Sequence, residues 1–163
     1  PDVIKIFYKI QQQIPAKLMM VGDGQEKEKA EYLCQELGIL DKVIFFGNSN
    51  EIDKILSYTD LFLLPSETES FGLAALEAMA WSVPVISSNS GGLPEVNLDG
   101  ISGFLSDTGN TDEMAENALK ILNDNVTLNK FKENALSVAK QFDIENILPL
   151  YEELYRKALN TFS

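Results

Sequence analysis

Glu69 and Glu77 stand eight positions apart in Glu69-Ser-Phe-Gly-Leu-Ala-Ala-Leu-Glu77, across what reads as a strand-to-helix junction. Upstream, residues 61–65 (Leu-Phe-Leu-Leu-Pro) form a short apolar run closed by proline, the pattern of a buried parallel strand. Downstream, residues 72–81 are rich in Ala, Leu and Met, and Ser70 is the expected N-cap. At 100° per residue Ser70 and Glu77 are about 700° apart, nearly two turns, which puts Glu77 on the side of the helix start and roughly 10 Å along the axis. A helix start with free N–H groups attracts phosphate. A carboxylate nearby repels phosphate but accepts hydrogen bonds from paired sugar hydroxyls. Together they suit a nucleotide sugar, its diphosphate on the helix start and its hydroxyls on the glutamates. On local sequence alone, Glu77 equally suits an exposed helix charge and Glu69 a solvated loop acid like Glu67.

The elements that must position these groups alternate regularly. Strand-like runs occur at 17–21, 42–46, 60–64, 83–87 and 103–106. Helical patterns occur at 2–14, 25–37, 50–58, 72–81, 112–122, 127–141 and 144–159. Such alternation predicts an α/β fold, a doubly wound parallel sheet wrapped by helices, with ligands beyond the carboxyl ends of its strands. Gly22, Gly24, Gly47, Gly72, Gly91 and Gly92 all fall at those ends. Gly22 is a candidate donor-loop residue, although Gly22-Asp-Gly24 lacks the third glycine of a dinucleotide fingerprint and reads better as a tight turn. Gly91-Gly-Leu-Pro-Glu95 predicts a loop leading into a short helix with proline in its first turn.

Composition narrows the function. The 163 residues make one domain with room for a real core. A formal net charge of −12 argues against nucleic acid and against unaided binding to anionic lipid. The chain has no histidine, and its aspartates are scattered without calcium-loop spacing, so no metal site and no cofactor are expected. No apolar run reaches the roughly 20 residues of a membrane span, and the N-terminal residues do not resemble a signal peptide. The single cysteine, Cys34, falls on the apolar side of a helical pattern with Ala30, Leu33 and Leu37; a buried thiol is expected, consistent with a cytoplasmic protein.

Residues 69–80 (ESFGLAALEAMA), followed by Pro84-Val-Ile and Gly91-Gly-Leu-Pro-Glu95, resemble the nucleotide-binding domain of retaining GT-B glycosyltransferases of family 4. Val21-Gly-Asp-Gly24, Val43-Ile-Phe-Phe-Gly47 and Asp60-Leu-Phe-Leu-Leu-Pro65 extend the resemblance over nearly the whole chain. It implies a Rossmann-like C-terminal half of a GT-B fold that binds a nucleotide-sugar donor. By resemblance, Glu77 accepts hydrogen bonds from ribose hydroxyls. Glu69 is the catalytic-site residue, contacting hydroxyls of the transferred sugar without acting as a nucleophile. Ser70, Phe71, Gly72 and Leu73 form the donor loop, the last three through backbone N–H groups. Gly47 and Asn48 lie where relatives hold the nucleobase, and Gly92 borders the donor pocket. Finer detail resembles the bacillithiol-pathway branch, implying transfer of N-acetylglucosamine from UDP to an acceptor hydroxyl, that of L-malate. A UDP-sugar epimerase of the same architecture and a non-catalytic α/β binding module are the competing classes.

Two departures carry expectations. Relatives place a strand before the first helix, then a loop whose Arg and Lys hold the diphosphate. Here residues 1–2 (Pro-Asp) read instead as a helix opening with Asp2 as cap. Residues 1–163 are therefore expected to be one donor domain from a two-domain enzyme, lacking its first strand and inactive alone. The small-molecule acceptor would sit mainly on the missing N-terminal domain, toward which a helix at 143–163 would pack. The open sheet predicts self-association or poor order at the gap. Second, Trp81-Ser82 stands between EAMA and PVI where relatives commonly carry glycine, which predicts either a different helix exit or about 1 kcal/mol of strain.

Overall fold

In a computed structural model, residues 2–22, 24, 26–49 and 51–142 are described. The expected helix at 144–159, and the expected helix starts at Gln25 and Asn50, lie outside them. The order is α1 (Asp2–Gln11), β1 (Leu18–Met20), α2 (Lys27–Glu36), a 3-10 turn (Leu40–Lys42), β2 (Val43–Phe45), α3 (Ile52–Ser57), β3 (Phe62–Leu64), α4 (Leu73–Ala80), β4 (Val85–Ser88), α5 (Leu93–Val96), β5 (Gly103–Ser106), α6 (Thr111–Leu122) and α7 (Asn125–Gln141). Every expected strand and helix among the described residues is present, most of them shorter by a few residues at their ends. Asp2 lies inside the first turn of α1, where its carboxylate meets Lys5 at 3.0 Å.

All strand pairs are parallel. β1 pairs with β2 from Leu18↔Val43 to Met20↔Phe45, β3 with β4 from Phe62↔Val85 to Leu64↔Ser87, and β4 with β5 from Val85↔Gly103 to Ser88↔Ser106. The alternation of side chains across a strand separates two cores. Phe62, Leu64 and Val85 join α4, α5 and α7 in a cluster around Ala75, Ala78, Met79, Leu93, Val96, Ala135 and Val138. Leu61, Leu63 and Ile86 face the other way, into a cluster with α1 and α6 around Ile6, Ile10, Met114, Ala118 and Ile121. Helices thus cover both faces of β3–β4–β5, which explains why its strands read as continuous apolar runs and not as alternating ones.

The ladder is divided. Among the described residues β1–β2 and β3–β4–β5 are separate sheets, joined by α1. Ile4 and Phe7 of α1 pack with Leu18, Met20 and Val43, while Ile6 and Ile10 pack with Ile86 and α6.

Cys34 is fully buried, as expected, in the cluster of Ile4, Phe7, Ala30, Ile39 and Val43. Trp81 is half exposed and donates its indole N–H to Asp53 on α3 at 3.2 Å.

Candidate functional site

The loop expected to hold the donor runs from the end of β3 into α4. Its first anchor is the carbonyl of Ser66, which accepts hydrogen bonds from the hydroxyls of Ser88 and, at 3.0 Å, Ser90. Both serines lie at the carboxyl end of β4, so strand pairing and side chains together fix where the loop leaves the sheet. Its far end is Gly72, the N-cap of α4, at φ 81° and ψ 34°. The expected cap Ser70 is displaced from that role: it is exposed and two residues short of the cap. The reason is steric. A Cβ on Gly72 would come within 2.9 Å of Val96 Cγ2 and 3.1 Å of Leu93 Cδ2, and the chain must turn left-handed to clear α5.

The glycine loop before α5 is pressed against the donor loop. A Cβ on Gly91 would fall 1.6 Å from the Glu69 carbonyl oxygen, and one on Gly92 would fall 2.9 Å from both Phe71 Cα and the Ser70 oxygen. The Gly92 N–H donates to the Glu69 carbonyl at 3.2 Å, and the Gly72 N–H reaches the Glu69 carboxylate at 3.4 Å. Glu69 is half buried, whereas Phe71 and Leu73 are exposed at 43% and 69%.

Because α4 starts at Leu73, Glu77 lies four residues into it, about 6 Å along the axis and nearer the helix start than its spacing from Ser70 suggests. It shares an exposed stripe with Leu73 and Ala80, while Ala75, Ala78 and Met79 are buried. The first backbone bond into the helix runs from the Leu76 N–H to the Gly72 carbonyl at 3.1 Å. The N–H groups of Leu73, Ala74 and Ala75 come before it and belong to the unpaired first turn of any helix. The site therefore offers main-chain donors above a carboxylate on one wet face. That arrangement is chemically suited to a phosphate at the helix start and hydroxyls one turn below.

The other expected loops close the first sheet. The Gly22 N–H donates to the Gly47 carbonyl at 2.8 Å, and the Phe46 N–H to the Met20 carbonyl at 2.9 Å, so these two loops extend the β1–β2 ladder past its strands. Gly22 and Asn48 are exposed and Gly47 is half buried. The structure thus assembles Glu69, Phe71, Gly72, Gly91 and Gly92 as one unit and Gly22 with Gly47 as another. No group of three or more Cys, Asp and Glu suited to a metal is found among the described residues.

Three features escaped the sequence reading: the serines holding Ser66, the contact of Phe142 with Phe71, and the buried Asn97. The adjacent Ser87 and Ser88 in an otherwise apolar strand were the available signal, since buried hydroxyls must have partners.

Residues 1–138 match the family model described as "Glycosyl transferases group 1". The chain belongs to the group 1 glycosyl transferases. It is 42% identical to the N-acetyl-alpha-D-glucosaminyl L-malate synthase of Bacillus anthracis, over 97% of this chain and 42% of the relative. It is also 36% identical to the D-inositol 3-phosphate glycosyltransferase of Corynebacterium urealyticum, over 83% of this chain and 32% of that protein. Among solved structures, Anabaena HepE in complex with UDP and glucose superposes with a TM-score of 0.84 at 26% identity, covering 96% of this chain and 44% of that one. Sucrose-phosphate synthase from Thermosynechococcus elongatus gives 0.81 at 28% identity, covering 97% of this chain and 42% of that one. The chain spans less than half the length of these proteins. No described helix is long and apolar enough to cross a membrane.

Proposed function

We propose that residues 1–163 are the donor-binding domain of a two-domain retaining glycosyltransferase, which moves N-acetylglucosamine from its UDP ester to the hydroxyl of L-malate. The observation that carries this reading is the 42% identity across 97% of the chain to a protein named for that product. The solved relative that holds UDP supports the nucleotide. In this reading Glu77 accepts hydrogen bonds from the ribose hydroxyls, and Glu69 contacts the transferred sugar. The first-turn N–H groups of α4 then take up charge that develops on the diphosphate as the anomeric bond breaks. Gly22, Gly47 and Asn48 line the nucleobase side, and Gly92 the sugar side. The acceptor oxygen attacks from the face the diphosphate leaves, and its proton passes to the leaving phosphate, so no protein nucleophile is needed.

Main-chain donors alone neutralise a diphosphate poorly, and Glu67, Glu69, Glu77 and Glu95 add negative charge around it. The reading therefore expects basic groups from outside the described residues, and no turnover by this chain by itself. Calorimetric titration with UDP and UDP-N-acetylglucosamine tests the site. Glu77 is exposed, so Glu77→Ala should leave the melting temperature nearly unchanged and weaken UDP binding by about tenfold or more, the loss of charged hydrogen bonds. Unchanged affinity in that variant removes the assignment of Glu77. Absence of UDP binding both here and in the longer natural protein removes the donor-site reading, and malate glycosylation by this chain alone overturns the division of labour.

A further inference from the structure

Asn97 is fully buried directly after α5, and its side chain is saturated with partners from three directions. Its amide nitrogen lies 3.1 Å from the Val85 carbonyl, 2.9 Å from the Ser87 hydroxyl and 3.3 Å from the Phe104 carbonyl, acceptors on β4 and β5. Its amide oxygen accepts from the Ser102 hydroxyl at 3.0 Å. Its own N–H closes α5 on the Leu93 carbonyl at 2.8 Å. The approach is tight enough that a Cβ on Gly103 would sit 2.9 Å from the amide oxygen.

Burying an amide among apolar neighbours is unfavourable unless every group is satisfied, and an apolar side chain of similar size fills such space without that demand. What the amide adds is direction. A helix of one turn cannot hold its own position. α5 is fixed at its start by the Leu93 N–H on the Ser90 carbonyl, 3.1 Å, and at its end by Asn97 on two strands. Between those points, Leu93 and Val96 bear on Gly72, and Gly91 and Gly92 bear on residues 69–71 with no slack.

We propose that Asn97 is a positioning residue for the donor site, setting α5 against the sheet so that Leu93 and Val96 in turn set the first N–H groups of α4. This deepens the donor-site reading and rests on it. Val85, Ser87 and Phe104 form the fixed reference, α5 is the lever, and the cap at Gly72 is the element moved. Asn97→Asp is the informative variant. It keeps the shape and the acceptor for Ser102, but turns an oxygen toward the Val85 and Phe104 carbonyls. Ser87→Ala is the milder companion, removing one acceptor, and carries the test if Asn97→Asp does not fold.

The test combines backbone amide NMR spectra with UDP titration below the melting temperature of each variant. The expected result is displaced amide resonances for Gly72, Leu73 and Gly92, with those of α2 unmoved. UDP affinity should fall about tenfold in Asn97→Asp, the equivalent of one hydrogen bond, and by less in Ser87→Ala. Lower melting temperatures with unmoved Gly72 and Gly92 resonances and unchanged affinity overturn the inference, leaving Asn97 as a packing residue. If neither the unsubstituted chain nor the longer natural protein binds UDP, the donor-site reading fails by itself, and the Gly72 and Gly92 resonances still decide whether Asn97 sets the loop.

Discussion

Phe71 and Phe142 meet edge to face, ring centroids 6.5 Å apart and planes at 81°. Phe71 belongs to the donor loop, and Phe142 caps the far end of α7, its N–H on the Ala139 carbonyl at 3.0 Å. Phe142 also packs on the cluster of Leu56, Ala75, Ala78 and Met79. One ring therefore ties the donor loop to the helix beneath α4. Phe142→Ala should lower stability by about 2 kcal/mol, less than for a fully buried ring, and weaken UDP binding several-fold. Phe142→Leu keeps most of the apolar volume and loses the edge-to-face term of about 1 kcal/mol. Thermal melts and titration on the same samples separate the two effects. UDP affinity unchanged in Phe142→Ala reduces the contact to packing.

Two glycines with positive φ should respond in opposite ways to the same methyl group. Gly91→Ala places a carbon 1.6 Å from the Glu69 carbonyl oxygen, so the loop must move. UDP binding should drop below detection even where the fold survives. Gly38, at φ 65°, follows the end of α2, and a Cβ there would meet nothing within 4 Å. Gly38→Ala should therefore cost only the left-handed backbone, about 1 kcal/mol, with UDP binding intact. Equal binding losses in the two variants would mean that strain and not contact governs the loop.

Much of this was legible because the strands are short apolar runs and the helices carry clear periodicity. Leu61, Leu63 and Ile86 against Phe62, Leu64 and Val85 needed only period-two alternation to be sorted onto opposite faces. Glu69 and Glu77 could be singled out as polar residues at a strand end and on an apolar helix. The cap could not be placed. Ser70 has the side chain of an N-cap, but the choice of Gly72 depends on Leu93 and Val96, more than twenty residues away in sequence, and no local signal reports that clash. Asn97 and Phe142 were missed for the same reason, since their partners are set by the register of β4 with β5 and by how α7 lies on α4.

Ser82 shows which of the two expected helix exits occurs. Its N–H bonds the Met79 carbonyl at 2.9 Å, and the Val83 N–H the Ala78 carbonyl at 3.0 Å, the pattern of a glycine-terminated helix. Serine occupies the glycine position at φ 61°, so the exit is ordinary and the strain is real. Ser82→Gly should stabilise the chain by about 1 kcal/mol, less the extra unfolded-state freedom of glycine, with UDP affinity unchanged. A melting temperature that does not rise would show that serine holds this left-handed turn at no net cost once the unfolded-state freedom of glycine is counted.

Burial, with the charge of Glu31 as a lesser cause, pushes the Cys34 thiol above its ordinary value of 9.0. The folded state thus favours the neutral thiol. This contribution to stability is complete below pH 9.0 and is lost as pH rises through the raised folded value. At pH 8 the thiol should react with Ellman's reagent at the rate of unfolding, and Cys34→Ala should remove this alkaline part of the stability loss. Rapid labelling of the native chain at pH 8 would contradict a buried, protonated Cys34.

The open strand edges set the last expectation. β1 and β3 each pair on one side only among the described residues, and Leu18–Met20 and Phe62–Leu64 are half buried, unlike the buried β4. Unpaired N–H and C=O groups beside half-buried apolar side chains are a template for another strand. We therefore expect the chain to self-associate through these edges at raised concentration. Sedimentation should give a mass that climbs above 18.1 kDa with loading. Met19→Lys places a charge on the β1 edge and should return the mass toward the monomer, with circular dichroism checking that the fold persists. A concentration-independent monomer would mean that α1, which bridges both sheets through Ile4, Ile6, Phe7 and Ile10, already shields the gap. A mass that rises equally in Met19→Lys would move the contact elsewhere, with the half-exposed Trp81 and the exposed Tyr58 the next surface to substitute.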